Sequence, residues 1–208
     1  MKKLCLAVLA LGLAFALQPP RAASGAAQNS QSMAQSKDAT APSYDMKAQA
    51  IFDLQDMKKK FVDLAKAVPA EKYSWRPGEG VRSIGEVYMH ITAANHNIPT
   101  MMGAPKQAEF MAKDFQSSIT DKDQIVAKLG ESFDYAISVV QGMTNADFAK
   151  PQKALGTDAN SGDVIYLLVT HAHEHLGQSI AYARVNGVVP PWTAEAMAKA
   201  KSGNNDKD

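Results

Sequence analysis

One cysteine, Cys5, is all that the 208-residue chain has. It lies in an N-terminal stretch that reads as a removable leader. The mature protein is therefore expected to hold no disulfide, no thiolate metal ligand and no cysteine nucleophile. Excess charge is missing as well. Lys and Arg number 22 against 21 Asp and Glu, a formal +1, and losing Lys2, Lys3 and Arg21 with a leader that has no acid turns this into −2. Without a basic excess there is no electrostatic footprint for nucleic acid, and no such partner is expected. A long apolar run is also lacking: the stretch from Leu4 to Leu17 falls short of the roughly 20 residues that span a bilayer. There is no glycine-rich phosphate loop, no CxxCH haem site, no Ser-His-Asp arrangement and no internal repeat.

What the N-terminus does contain is a basic start, a short apolar stretch and then small residues from Ala22 to Ala27. This order describes a secretory signal peptide, assigned to residues 1–26, and predicts an exported protein, periplasmic or secreted, that meets the membrane only through its leader. The alternative is an uncleaved anchor. Residues 27–43 are Gln, Ser, Ala and Lys with little that can form a core, and read as a disordered linker. A domain is expected over 44–192, long enough to bury a substantial core, with a C-terminal tail over 193–208.

Within the domain, four stretches have helical period. The first runs from about Tyr44 to Val68, with Ile51, Leu54, Met57, Phe61 and Leu64 spaced by three or four, and Pro69 ends it. The second starts at Ser83, where Glu86 completes a capping box, and continues through Ile84, Val87, Ile91 and Ala94. The third spans about Asp121 to Gln141, and the fourth about Ser161 to Asn186, stopped by Asn186-Gly187. No hairpin dipeptide sits between alternating apolar runs, so no sheet is expected. The connections between helices one and two and between three and four are roughly 15 to 20 residues each, as in bundles with crossovers. The fold predicted is all-α, a four-helix bundle with long crossover connections.

Five histidines occur, and helix geometry divides them. At about 100° per residue, His171 and His175 lie about 40° apart on one face, which they share with Val164, Leu168, Gln178 and Tyr182. His173 is about 200° from His171 and is expected to face water. On the second helix His90 sits at the edge of the apolar stripe, while His96 points nearly opposite and is also expected in water. Three imidazoles facing inward must stay neutral. A neutral ring nitrogen is a lone-pair donor, and rings at i and i+4 present two of them to a common point. A third from a neighbouring helix gives the open three-nitrogen set of a catalytic zinc or similar ion. The alternative is that each histidine is a hydrogen-bonded core residue; whether His90 packs against helix four decides between them. Glu86, four residues before His90, is a candidate to hold a ligand histidine or act as a base, against its capping role. Tyr182, on the histidine face, is a candidate proton donor, against a place in the core.

Four segments carry a family resemblance. They are Trp75-Arg76-Pro77; Val81-Arg82-Ser83-Ile84-Gly85-Glu86-Val87 followed by His90; His171-Ala172-His173-Glu174-His175-Leu176-Gly177-Gln178, similar to an HxxxHxGQ pattern; and Arg184 to Trp192 with its Pro190-Pro191 pair. Together they resemble the DinB/YfiT-like family over about Ile51 to Trp192. The resemblance implies a four-helix bundle of unusual crossover topology and a divalent metal, zinc or nickel, on His90, His171 and His175. It implies close packing at Gly177 and a water- or ligand-orienting role for Gln178. It also implies a homodimer, and activities that in this family include thiol S-transfer and a thiol-dependent isomerisation. Low-molecular-weight thiols are mainly intracellular, so for an exported member hydrolysis of a small-molecule substrate is expected. The alternative is a non-catalytic bundle stabilised by its metal.

Overall fold

A computed structural model describes residues 45–205, with side chains to 202; the leader and linker expectations lie outside the described residues. The first helix, α1 (Met46–Ala67), begins where the Asp45 carboxylate accepts the Ala48 N–H at 3.0 Å, satisfying one of the donors that a helix start leaves free. It buries Ala50, Leu54, Met57, Phe61 and Leu64. Val68 precedes Pro69 and is extended, ψ 125°, because the proline ring excludes the helical conformation from the residue before it. Helix α2 (Ile84–Asn97) opens with the Ser83/Glu86 capping box. It passes through a 3₁₀ segment, Ile98–Met102, into two single-turn helices, α3 (Ala108–Met111) and α4 (Phe115–Ser118). Helix α5 (Lys122–Gly142) is capped by Asp121 and followed by the short α6 (Asn145–Phe148). Helix α7 (Ser161–Val185) is capped by Asn160, and Gly187 at φ +78° ends it with the Val188 N–H on the Ala183 carbonyl at 2.8 Å.

Packing places α1 against α5 and α7, and α2 against α5 and α7. Helices consecutive in the chain, α1 with α2 and α5 with α7, therefore stand across the diagonals of the bundle. The connections 68–83 and 143–160 are the two crossovers, which is why short turns do not suffice there. At the first, Tyr73 anchors the crossing: its hydroxyl donates to the Ala65 carbonyl at 2.7 Å, and its own carbonyl accepts the Gly85 N–H at 2.9 Å. A Cβ on Gly85 would stand 3.3 Å from the Ile125 side chain and 3.4 Å from that carbonyl, so the close approach of α2 to the crossing leaves little room for a side chain there.

Two elements depart from expectation. Residues 151–160 form an antiparallel hairpin, β1 (Pro151–Ala154) with β2 (Thr157–Asn160), around Leu155-Gly156. Both turn residues have positive φ, 50° and 81°, as a two-residue hairpin turn matched to strand twist requires; leucine in that role is what hid it. The expected tail begins inside a helix, α8 (Pro191–Asn205), which packs on α1. Proline is favoured at a first helical position, and Ala194 to Lys201 is rich in good helix formers. No helix among the described residues is long and apolar enough to cross a membrane.

The core centres on Phe61, fully buried, whose ring meets Phe133 at 5.5 Å and Tyr88 at 6.4 Å between centroids. It thus ties α1 to α5 and α2 at once. Replacing Phe61 with Ala is expected to cost about 3–5 kcal/mol, whereas Phe52→Ala, 65% exposed on the same helix, is expected to stay within about 0.5 kcal/mol. Urea denaturation of the two variants checks this.

Candidate metal centre

Because α2 and α7 are neighbours, His90 meets the His171/His175 pair. Ring centroids are 5.1 Å apart for His90–His171, 4.7 Å for His90–His175 and 4.5 Å for His171–His175. One ring nitrogen from each lies within 4.8 Å of the others, and the Nε2 atoms of His90 and His171 are 3.2 Å apart. Nitrogens bound to one tetrahedral zinc at roughly 2.0–2.1 Å stand about 3.4 Å from each other, so the donor set fits a single divalent ion.

The protonation states agree with that fit. Burial, then the Arg82 charge and the two neighbouring rings, lower the His90 pKa to about 3. Burial and His175 lower His171 to about 4, against a smaller opposing pull from Glu174. Both rings are neutral at pH 7, with lone pairs to offer. His175 is oriented from behind. Its Nδ1–H donates to Gln178 Oε1 at 2.7 Å, and Gln178 Nε2 donates to the Tyr182 hydroxyl at 3.0 Å. The Tyr182 ring stands edge-on to Trp75, with centroids 5.4 Å apart. Since Oε1 only accepts, Nδ1 carries the proton of that bond, which leaves Nε2 as the nitrogen available to a metal.

Several expectations need correction. The three rings are half-buried rather than inside: the buried stripe of α7 runs through Val164, Ile165, Leu168, Ala172, Leu176, Ser179 and Ala183, and the histidines run along its flank. Gly177 admits no close helix, having nothing within 4 Å of where a Cβ would stand. Glu86 spends its oxygens elsewhere, one on the Ser83 N–H at 2.7 Å and one on Arg76 at 3.2 Å. It holds the start of α2 and the preceding loop, and no triad ring. His173 is exposed as expected. His96 is not: it lies half-buried between Phe110, stacked at 3.6 Å and 4°, and Tyr135, at 4.4 Å and 19°. Residues 98–121 fold back over the outer face of α2 and bring Phe110 onto the ring, a return that helical periodicity does not encode.

That same return borders an open cavity of about 690 Å³ that reaches His90 and His171, lined among others by Asn97, Met101, Phe110, Gln116 and the hairpin residue Leu155. Sequence reasoning missed this lining and missed the packing of Trp75 on Tyr182. The only signal for Trp75 was its place in the Trp75-Arg76-Pro77 segment.

A four-helix bundle with two diagonal crossovers and three converging imidazoles beside a cavity is the class of protein these features define. The chain belongs to the DinB superfamily, whose model matches residues 53–179. Similar folds occur in a DinB-like protein from Bacillus cereus (TM-score 0.61, 16% identity, 69% of this chain and 95% of that one). They occur also in YfiT from Bacillus subtilis (TM-score 0.56, 16% identity, 72% and 92%), described as a probable metal-dependent hydrolase with an unusual four-helix bundle topology. A second Bacillus subtilis protein, the DinB-like YjoA, has TM-score 0.53 and 18% identity over 67% of this chain and 92% of its own. No curated protein matches the sequence.

The environment of His96 gives a pH test away from the triad. Burial lowers its pKa to about 4, with Glu109 opposing and Lys128 adding to the shift. Between the unfolded value near 6.5 and about 4, the unfolded chain binds more protons than the folded one. Stability is therefore complete above pH 6.5 and falls as the pH drops through that window. His90 and His171 add to the same trend in metal-free protein. His96→Phe, which keeps the stack, is expected to lose less melting temperature between pH 7 and pH 5 than the parent, as measured by thermal scans.

Proposed function

We propose that the chain is an exported, metal-dependent hydrolase acting on a small molecule. His90, His171 and His175 hold one divalent ion, zinc or nickel, in this reading. The observation that carries it is the 3.2 Å approach of the His90 and His171 Nε2 atoms with the His175 ring completing the triangle. A bound ion supplies Lewis acidity, polarising a carbonyl and drawing the pKa of water towards neutrality. The chain's residues supply the rest. Gln178 holds His175 in the tautomer that presents Nε2, Tyr182 and Trp75 hold Gln178, and the cavity takes the substrate from the opposite side. A structural zinc has a closed coordination sphere; a cavity beside two of the three ligands favours reaction over a clamp. Export is supported by Lys2, Lys3 and the short apolar run from Leu4 to Leu17.

Elemental analysis of the purified mature protein tests the ligand set. His171→Ala and His175→Ala are expected to lose most of the metal and to reduce hydrolysis of activated esters to background, while His173→Ala retains both. Equal metal loss at His173 would overturn the assignment. Gln178→Leu removes the acceptor behind His175 and is expected to weaken metal affinity about 10–100-fold, measured by competition with a chromogenic chelator.

A further inference from the structure

The cavity beside the triad has a chemistry of its own. Its wall is largely apolar and adaptable, and no Asp or Glu lines it. Its volume, about 690 Å³, lies within the range of small-molecule sites, which combine an apolar wall with a few placed polar groups. Two lining residues are apolar yet exposed: Met111 at 55%, and Leu155 at 74% on the hairpin turn with φ +50°. Leucine in the left-handed region is strained, and at a solvated tip it gains nothing from burial in the free protein. Methionine shapes itself to varied apolar partners.

Charge is confined to one edge. Lys113 lines the cavity, and so does Gln116, whose Oε1 accepts the Arg82 Nε–H at 2.7 Å. The Arg82 charge reaches both His90 and His171. Among the described residues neither Arg82 nor Lys113 has a carboxylate within 4.0 Å, while Lys128 and Arg76 nearby are paired with Glu109 and Glu86. A cationic ligand would meet two unneutralised cations there, and a neutral one would leave both without a counter-ion.

We propose that this cavity selects small amphiphilic anions, the apolar part against Met101, Met111, Leu155 and Leu167 and the acid group at the Gln116 edge, where Arg82 and Lys113 stand. As a statement of substrate class it rests on reading the triad as the reacting centre. The hairpin tip closes over the apolar part, which gives the exposed leucine its partner.

Calorimetry on the full chain with decanoate, decanol and decyltrimethylammonium tests it, on protein as purified and after chelator treatment, so that a carboxylate merely ligating the metal is recognised. Saturable decanoate binding in both forms is expected, tighter than decanol and with no binding of the cation. Arg82→Gln with Lys113→Gln is expected to weaken decanoate about five- to tenfold, as two partly solvated charge pairs allow, and to leave decanol unchanged. Leu155→Asp, which suits the left-handed turn, is expected to weaken both. Far-UV circular dichroism and thermal scans confirm that the variants fold. Equal affinity for the three probes, absence of saturable decanoate binding, or decanoate binding that needs the metal and ignores the double variant would each overturn the proposal. Metal content is read on the same samples. Protein that binds decanoate as expected yet holds no metal defeats the hydrolase reading alone, and protein that holds metal on the triad but does not discriminate among the probes defeats the anion selection alone.

Discussion

Contact between α2 and α7 is the constraint on which the rest depends. One carries His90 and the other His171 and His175, and packed helices stand roughly 8–10 Å apart, a distance that two imidazole side chains close. In an up-and-down bundle with neighbours in chain order, the second and fourth helices occupy a diagonal, too far for the rings to share an ion. Here the diagonals are taken by α1 with α2 and by α5 with α7. The two long crossovers are thus part of the site's construction. Tyr73, bonded to Ala65 on one side and Gly85 on the other, fixes where the first crossover delivers the start of α2.

The triad is held on one side and open on the other. Behind His175, Gln178, Tyr182 and Trp75 form a chain in which each group orients the next. The cavity touches His90 and His171. Orienting and lining thus fall to different residues: Gln178, Tyr182 and Trp75 orient His175 and do not line the cavity, which meets His90 and His171 directly. Half-burial suits both needs. It makes His90 and His171 neutral, because desolvation acts against the cation, yet leaves them reachable. The result is basic nitrogen without protonated nitrogen, a requirement for ligating a divalent ion near pH 7.

How much of this was legible follows from what each signal encodes. Capping residues are local chemistry, and Ser83 and Asn186-Gly187 located helix ends to within a residue or two. The i,i+4 geometry put His171 and His175 together because a helix fixes that relation by itself. The angle at which α7 meets its neighbours is not local, so periodicity took the histidine stripe for the buried face when it is its flank. The hairpin was hidden because Leu155 stands where Asn or Gly usually signals the turn. The helical start at Pro191 was read as an ending, since the Pro190-Pro191 pair punctuates in either direction. His96 was misplaced because its cover arrives from residues 98–121, an irregular segment whose path no period specifies.

That segment explains why the histidine trio is readable from one sequence and the space in front of it is not. The histidines stand on α2 and α7, long helices whose packing and caps fix side chains closely; Met101, Phe110, Met111, Lys113 and Gln116 stand on short turns draped across them. Function carried on irregular segments over a rigid scaffold can vary without disturbing the scaffold. Substitutions between Ile98 and Asp121 that spare the His96 stack therefore leave the three nitrogens where they are while reshaping the space in front of them. The placement of the three imidazoles and the shape of the space before them are separable properties of this bundle, one set by helix packing and the other by the path of a connection.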